Sequence, residues 1–303
     1  MAERVIFSDL GEHDEMFLSE LSGRIEALAG DHAGSEKEYD PYEFVDEMDQ
    51  AIADGTLDLD DPGAQLDEAT KAALIVNLIT EEGIPEYTST IQRRLPFNHP
   101  LRHWSHLWTA DEGRHGPTIA NILHRTKQFS MRELERMRMA MMRYPDTPQP
   151  ASVIESVVYP GIQEPATEIS HRNTMRRFPR ALVIARRAIG RVTHDEVRHG
   201  GFYAGVAEAA MEVNPSVVVI AAGRQVRDFA MPGKSMPGFE ERARIIREAD
   251  IFGPRQLRQI YDDFLVNRLG IFRAEGLSPE AEKARDFIAK RLKLLDRLSR
   301  TAG

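Results

Sequence analysis

Six residues of this chain have the types and the spacing to hold a pair of metal ions. Glu112 and His115 form one Glu-x-x-His, Glu196 and His199 form another, and a lone glutamate precedes each, Glu81 and Glu164. Glu81 lies 31 residues before Glu112, and Glu164 lies 32 before Glu196. Residues three apart share a helical face, so each Glu-x-x-His can grip one edge of a site. Carboxylates can bridge two metals, and a mixture of carboxylate and imidazole suits iron. Four glutamates also carry the four negative charges that neutralise two divalent ions. Buried without metal, those charges would be costly to ionise. One Glu-x-x-His occurs readily by chance on a surface helix. Two of them, each behind a glutamate at matched spacing, argue against a set of merely exposed helix charges.

To meet in one interior, these side chains need four helices, each pair giving one Glu and one Glu-x-x-His. That is the ligand pattern of ferritin-like di-iron and di-manganese bundles. Apolar residues recur at helical spacing through most of the chain and strand-like alternation is scarce. The pattern predicts long helices over roughly 66–93, 100–126, 150–177 and 179–212, with a shorter one at 130–143 opened by a Ser130/Glu133 capping box. A first helix covers 7–29 and stops near Gly30. The acidic stretch 35–63, broken by Pro41, Gly55, Pro62 and Gly63, reads as a solvated connection with one short helix at 42–53. After Pro215 come a helix to 229, a loop from Met231 to Pro237, and two or three more helices to about residue 300. The expectation is one all-α, ferritin-like domain over 1–303. Its parts are an N-terminal helix and connection (1–65), a di-iron bundle (66–213) and C-terminal helices (214–303). Pro85 and Pro165 stand close behind Glu81 and Glu164 and should distort their helices there, while Pro160 allows a later helix start.

Composition narrows the chemistry. The chain has 303 residues, no cysteine and a net charge of −9. Disulfides, cysteine-bound zinc and iron–sulfur clusters are therefore excluded within this polypeptide. An acidic surface argues against general nucleic-acid binding. No run of about 18 apolar residues spans a bilayer, and the N-terminus lacks the pattern of a signal peptide, so a soluble cytoplasmic protein is expected. No Gly-x-Gly-x-x-Gly marks a flavin or nicotinamide site, so reducing equivalents must come from a partner. Both chelating turns are preceded by an aspartate, Asp111 and Asp195, and contain an arginine, Arg114 and Arg198. Metal-bound histidines commonly give their other ring N–H to a carboxylate. Each aspartate could serve the histidine of the opposite pair, or form an ion pair with its neighbouring arginine. Trp108, four residues before Glu112, should lie near the metals, with plain core packing an equal alternative.

Longer motifs carry a family likeness. Leu78-Ile-Thr-Glu-Glu-Gly-Ile-Pro-Glu-Tyr87, Trp108-Thr-Ala-Asp-Glu-Gly-Arg-His-Gly116, Gln163-Glu-Pro-Ala-Thr-Glu-Ile-Ser-His-Arg-Asn-Thr174 and Asp195-Glu-Val-Arg-His199 resemble the soluble acyl-acyl-carrier-protein desaturases of plants and actinobacteria. The resemblance covers about residues 66–237 and weakens toward 273. It implies that a reduced di-iron centre activates O2 and removes two hydrogens from a saturated acyl chain on acyl carrier protein. It implies two iron ions per chain, with Glu81, Glu112, His115, Glu164, Glu196 and His199 as ligands and Thr167 beside the oxygen-binding face. Ferredoxin is the implied electron donor and a homodimer the implied assembly. The alternative for Thr167 is a hydroxyl bonded back to its own helix.

This chain departs from the plant pattern at Pro165 and Glu168, and both its tryptophans, Trp104 and Trp108, come later than the N-terminal tryptophan of the plant enzymes. Carrier protein is acidic, so a local basic surface is expected. The resemblance favours Arg224, Arg227 and Lys234, followed by Arg176 and Arg177 from a run of seven arginines between His171 and Arg191. Other readings of the same ligands stay open: a hydroxylase or N-oxygenase, a non-catalytic iron protein, or a radical-bearing reductase subunit using Tyr87 or Tyr159.

Overall fold

The computed structural model describes residues 7–144, 149–230 and 233–301, and every regular element among them is helical. In chain order these are α1 (Asp14–Gly34), α2 (Glu43–Ala53), α3 (Glu68–Glu81), α4 (Ile84–Gln92), α5 (Pro100–Thr126) and α6 (Met131–Arg143). Then follow α7 (Glu155–Arg176), α8 (Val183–Val213), α9 (Pro215–Asp228), α10 (Phe239–Glu248), α11 (Pro254–Tyr261) and α12 (Pro279–Thr301). A π-helical segment, Asp262–Arg268, extends α11.

The helix starts are written in local chemistry. The Asp67 carboxylate accepts from the Thr70 N–H to cap α3, and the Ser130 hydroxyl accepts from the Glu133 N–H to cap α6. Pro100 and Pro215 occupy the first turns of α5 and α9, where a missing N–H costs nothing.

Several expected boundaries are corrected, among them the start of the first helix, which lies at Asp14 after a 3-10 turn at Gly11–His13 and not at 7. The helix anticipated over 66–93 is two helices, because α3 ends at Glu81 and α4 begins at Ile84. Pro85 explains the break: its absent N–H is the one that would have bonded the Glu81 carbonyl. Gly83 at the joint also has little room for a side chain, since an added Cβ would sit 3.0 Å from the Tyr87 ring. The first helix does not stop near Gly30 but runs to Gly34. Neither glycine has a positive φ, and the buried stripe Phe17, Leu21, Ile25, Ala29 and His32 holds the helix past them. By contrast, α7 runs unbroken through Pro160 and Pro165, so Pro160 is interior and the helix starts before it. The first two residues of the loop from Met231 to Pro237 lie outside the described residues.

The core is a closed ring in which α3 packs on α5, α5 on α8, α8 on α7 and α7 on α3. α1 and α2 lie across α5 and α8, α9 backs α7 and α8, and α12 covers α9. Along the ring, two large apolar clusters leave a polar layer between them. One holds Trp104, Trp108, Ile162, Phe202 and Tyr203, and the other Leu74, Leu78, Ile119, Leu123 and Ile189. The six glutamates and histidines fall in that layer.

Candidate metal centre

Glu81, from the last turn of α3, Glu112 and His115 of α5, Glu164 of α7, and Glu196 and His199 of α8 converge, each no more than 6% exposed. Their ligand atoms form two groups, each lying within 4.8 Å: Glu81, Glu112, His115 and Glu196 in one, Glu112, Glu164, Glu196 and His199 in the other. Glu112 and Glu196 belong to both. That overlap is what a pair of ions with two bridging carboxylates requires. His115 Nδ1 faces Glu112 Oε2 at 3.1 Å and Glu196 Oε1 at 3.5 Å, while His199 Nδ1 faces Glu112 Oε1 at 3.0 Å.

The donor set fits metal. His115 Nδ1, His199 Nδ1, Glu81 Oε1, Glu164 Oε2 and both oxygens of Glu196 are buried without a hydrogen-bond partner. Buried polar atoms are rarely left so, and six in one layer point to cations as their intended partners. The electrostatics agree. Burial pushes the Glu164 carboxyl well above its usual range, and the neighbouring Glu112 and Glu196 add to the rise. Burial alone would lower the two imidazoles. Instead Glu112 holds His115 well above the usual histidine value, and Asp111 with Glu112 does the same for His199. Without divalent charge the layer takes up protons.

Behind each histidine stands the aspartate of the opposite motif. His115 Nε2 lies 3.4 Å from Asp195 Oδ2, and His199 Nε2 lies 3.3 Å from Asp111 Oδ2. Both aspartates also meet their own arginine, Arg198 to Asp195 at 3.0 Å and Arg114 to Asp111 at 2.5 Å. The two readings of these aspartates are therefore not exclusive. The Trp108 indole N–H donates to Glu164 Oε1 at 3.2 Å, which fixes the ring against a ligand as well as in the core.

Some of the shell was not anticipated. His32, at the end of α1, places Nε2 3.0 Å from Asp111 Oδ2 and 3.0 Å from the Arg198 guanidinium, with its ring stacked on His199. Tyr39 lies buried with its ring 5.3 Å from the Arg114 guanidinium carbon. His171, fully buried on α7, has Nε2 3.4 Å from Glu81 Oε1 and 3.6 Å from Glu196 Oε1. Burial pulls its imidazole down, but Glu196 and Glu81 more than offset this and push it up to about 9. A sequence signal existed for two of them. His32 continues the apolar stripe of α1, and His171 follows Glu164 by seven residues, two turns along one face. The Thr167 hydroxyl donates back to Glu164 O at 2.9 Å, one turn from the ligands.

A narrow crevice of about 20 Å³ lined by Tyr87, Ile91, Trp108, Tyr159 and Gln163 runs beside Glu164. It adjoins a polar cleft of about 360 Å³, with which it shares Pro150 and Tyr159. Arg224 and Arg227 line that cleft. Arg224 is largely buried and bound to Glu155 at 3.1 Å and to the Phe7 carbonyl, whereas Arg227 pairs with Asp228 beside the Phe7 ring. Lys234 is exposed. Arg176 is exposed and Arg177 pairs with Asp67, both at the far end of α7. With 22 residues in α7, the two basic regions are about 30 Å apart at 1.5 Å per residue.

A family model described as fatty acid desaturase matches residues 14–303. A Mycobacterium tuberculosis protein with the provisional name acyl-[acyl-carrier-protein] desaturase DesA1 is 29% identical, covering 93% of this chain and 86% of its own. Stearoyl-[acyl-carrier-protein] 9-desaturase 5 of Oryza sativa subsp. japonica is 27% identical over 86% of this chain and 72% of its own. The solved structure of Mycobacterium tuberculosis DesA2, provisionally named an acyl-ACP desaturase, superposes with a TM-score of 0.64 at 21% identity. It covers 89% of this chain and 99% of that one, and shows the same fold.

Proposed function

The chain belongs to the fatty acid desaturase family, and from that premise we propose that it inserts a cis double bond into a saturated acyl chain carried on acyl carrier protein. Two iron ions per chain are held by Glu81, Glu112, His115, Glu164, Glu196 and His199. The observation that carries this reading is the pair of four-residue groups sharing Glu112 and Glu196, set beside a crevice that Trp108 and Gln163 line. Named relatives acting on acyl carrier protein substrates support the choice of substrate class.

When bound, the ions supply the O2 activation for a four-electron reduction to two waters, two electrons coming from the acyl CH2–CH2 unit and two from a donor. The residues supply the setting. Asp195 and Asp111 hold the His115 and His199 rings through their Nε2 protons, which keeps Nδ1 turned to the centre. Trp108 fixes one oxygen of Glu164 and forms a wall of the crevice. Apolar packing above and below the layer excludes water, which strengthens each charge interaction inside it. Thr167, its hydroxyl proton committed to the helix, keeps an oxygen able to accept a hydrogen bond beside Glu164.

The acyl chain enters from the cleft, where Arg227 meets the acidic carrier, and the exposed Lys234, in the loop after α9, adds positive charge to that encounter. Arg224, tied to Glu155 and Phe7, shapes the cleft itself. The basic group at the far end of α7 is too distant to serve the same docking event. With no cysteine in the chain, the two electrons come from a separate donor of ferredoxin type, and the enzyme works as a homodimer. No helix of the described residues is long and apolar enough to cross a membrane.

The test is direct. Iron-loaded protein, reduced ferredoxin, O2 and a set of saturated acyl-carrier substrates of different length should give a monounsaturated acyl product by mass spectrometry. A hydroxylated chain with no alkene would replace this reading with that of a hydroxylase. Sustained turnover on NADPH with pure protein alone would refute the partner donor.

A further inference from the structure

His171 is not one of the six expected ligands, yet it shares the Glu164 face of α7 and is fully buried. Its Nδ1 lies 3.1 Å from Asn77 Nδ2 on α3. The other end of that amide, Asn77 Oδ1, accepts from the Ser170 hydroxyl at 2.9 Å. An amide nitrogen only donates, so in the neutral ring Nδ1 is the bare nitrogen and the proton sits on Nε2. That Nε2 is the atom facing Glu81 Oε1 and Glu196 Oε1 at 3.4 and 3.6 Å. Neither oxygen has a hydrogen-bond partner, and neither has His171 Nε2 itself, so three unmatched buried atoms face one another. A bare nitrogen there would set its lone pair against two anionic oxygens, whereas an N–H attracts both.

Glu81 has particular need of such a donor. It is the last residue of α3, where the negative end of the helix dipole disfavours a carboxylate, and the chain turns away directly behind it. We propose that His171 is a positioning residue whose Nε2–H draws Glu81 Oε1 and Glu196 Oε1 together across α3 and α8, with Asn77 and Ser170 fixing the tautomer. Glu81 Oε2 faces His115 Nδ1 at 3.7 Å, so both oxygens of Glu81 stay turned to the layer. The centre depends on seven side chains at its face, not six.

The inference rests on the metal reading and not on the substrate, so it is tested without acyl carrier protein. Metal-free full-length protein is titrated anaerobically with Co(II), whose visible bands report coordination. His171→Ala should weaken one of the two ions by about 10-fold or more, the usual cost of losing such a partner, and leave the other unchanged. His171→Gln, which keeps a donor nitrogen, should bind close to wild type. Asn77→Asp should behave like His171→Ala although the imidazole is intact, because a carboxylate at 77 draws the ring proton to Nδ1. In the Zn(II)-loaded wild type, 15N NMR should show the His171 proton on Nε2. A wild-type proton on Nδ1, or unchanged Co(II) affinity in both His171→Ala and Asn77→Asp, overturns the proposal. His171→Gln as weak as His171→Ala, with altered bands, would make the imidazole a metal ligand instead. None of these failures touches the desaturase reading.

Discussion

Glu112 and Glu81 occupy the same layer at similar burial, yet their removal should have different consequences. Glu112 stands in both four-residue groups, and Glu81 in one. Glu112→Ala therefore strips a carboxylate from each ion at once and lowers the site's charge. Loss of a partner one bond removed from a metal costs roughly 10–100-fold in affinity, so loss of a direct bridging ligand should cost about 100-fold or more for each ion. At 1.4 kcal/mol per factor of ten this is about 3 kcal/mol per ion. Glu81→Ala should impose that penalty on a single ion and leave Glu112, Glu164, Glu196 and His199 as an intact group. After dialysis against a mild chelator, elemental analysis should find two irons in the wild type, close to one in Glu81→Ala, and close to none in Glu112→Ala. Thermal melts of the metal-free proteins provide the control. Removing Glu112, 4% exposed, relieves repulsion from three other carboxylates but also takes a partner from His115 and His199, so a cooperative melt of apo Glu112→Ala shows that its iron loss is not unfolding. Equal iron loss in the two variants would refute the shared-ligand assignment, and full retention by Glu112→Ala would refute the ligand set.

The layer also sets a pH dependence. Glu164 has a raised folded value, so its share of apo stability is complete below its usual 4.5 and falls away as pH climbs through the folded value. His115 and His199 follow the same sign, their share complete below 6.5 and lost on the way up. Asp111 and Asp195 are lowered and lose their share only in acid below their usual 3.8. Apo stability should thus decline across roughly pH 5 to 8, while metal binding, which needs deprotonated ligands, strengthens. The melting-temperature gap between holo and apo should widen with pH, and a gap that narrows would contradict the protonated layer. Trp108→Phe keeps the ring packing but removes a donor to Glu164. A hydrogen bond to a charged group is worth about 1.5–3 kcal/mol, so one ion should weaken by about 10-fold or more. Unchanged metal affinity there would make Trp108 a core residue only.

The clustering of the six glutamates and histidines was legible because its information is local. Glu-x-x-His is a one-turn relation, and the matched 31- and 32-residue leads repeat it with the same helix-pair geometry. The aspartates were legible for the same reason. The break at Glu82 and Gly83 was written in Pro85, but a proline four residues behind a ligand could kink a helix or end it. The same residue type leaves α7 unbroken at Pro160 and Pro165, so the proline by itself did not say which. Arg224 looked like a surface cation because its partner Glu155 is 69 residues away. His32 was hidden by distance as well: it meets Asp111 after 79 residues and Arg198 after 166. Tyr39 occupies a connection whose acids announced solvent, and nothing nearby in sequence marks its ring for Arg114.

The position of His32 has a consequence for how the molecule comes into being. α1 leaves the ribosome before α5 and α8, and its buried imidazole meets Asp111 and Arg198 only once those helices have been made. At about 5–20 residues per second, the 166 residues to Arg198 represent roughly 10–30 seconds during which α1 cannot be completed by its own neighbourhood. Nascent chains stalled before α8 should leave α1 open to protease, and chains released after α8 should protect it. A helix made well before its partners is among the last to be locked, and its locking closes over the candidate metal centre.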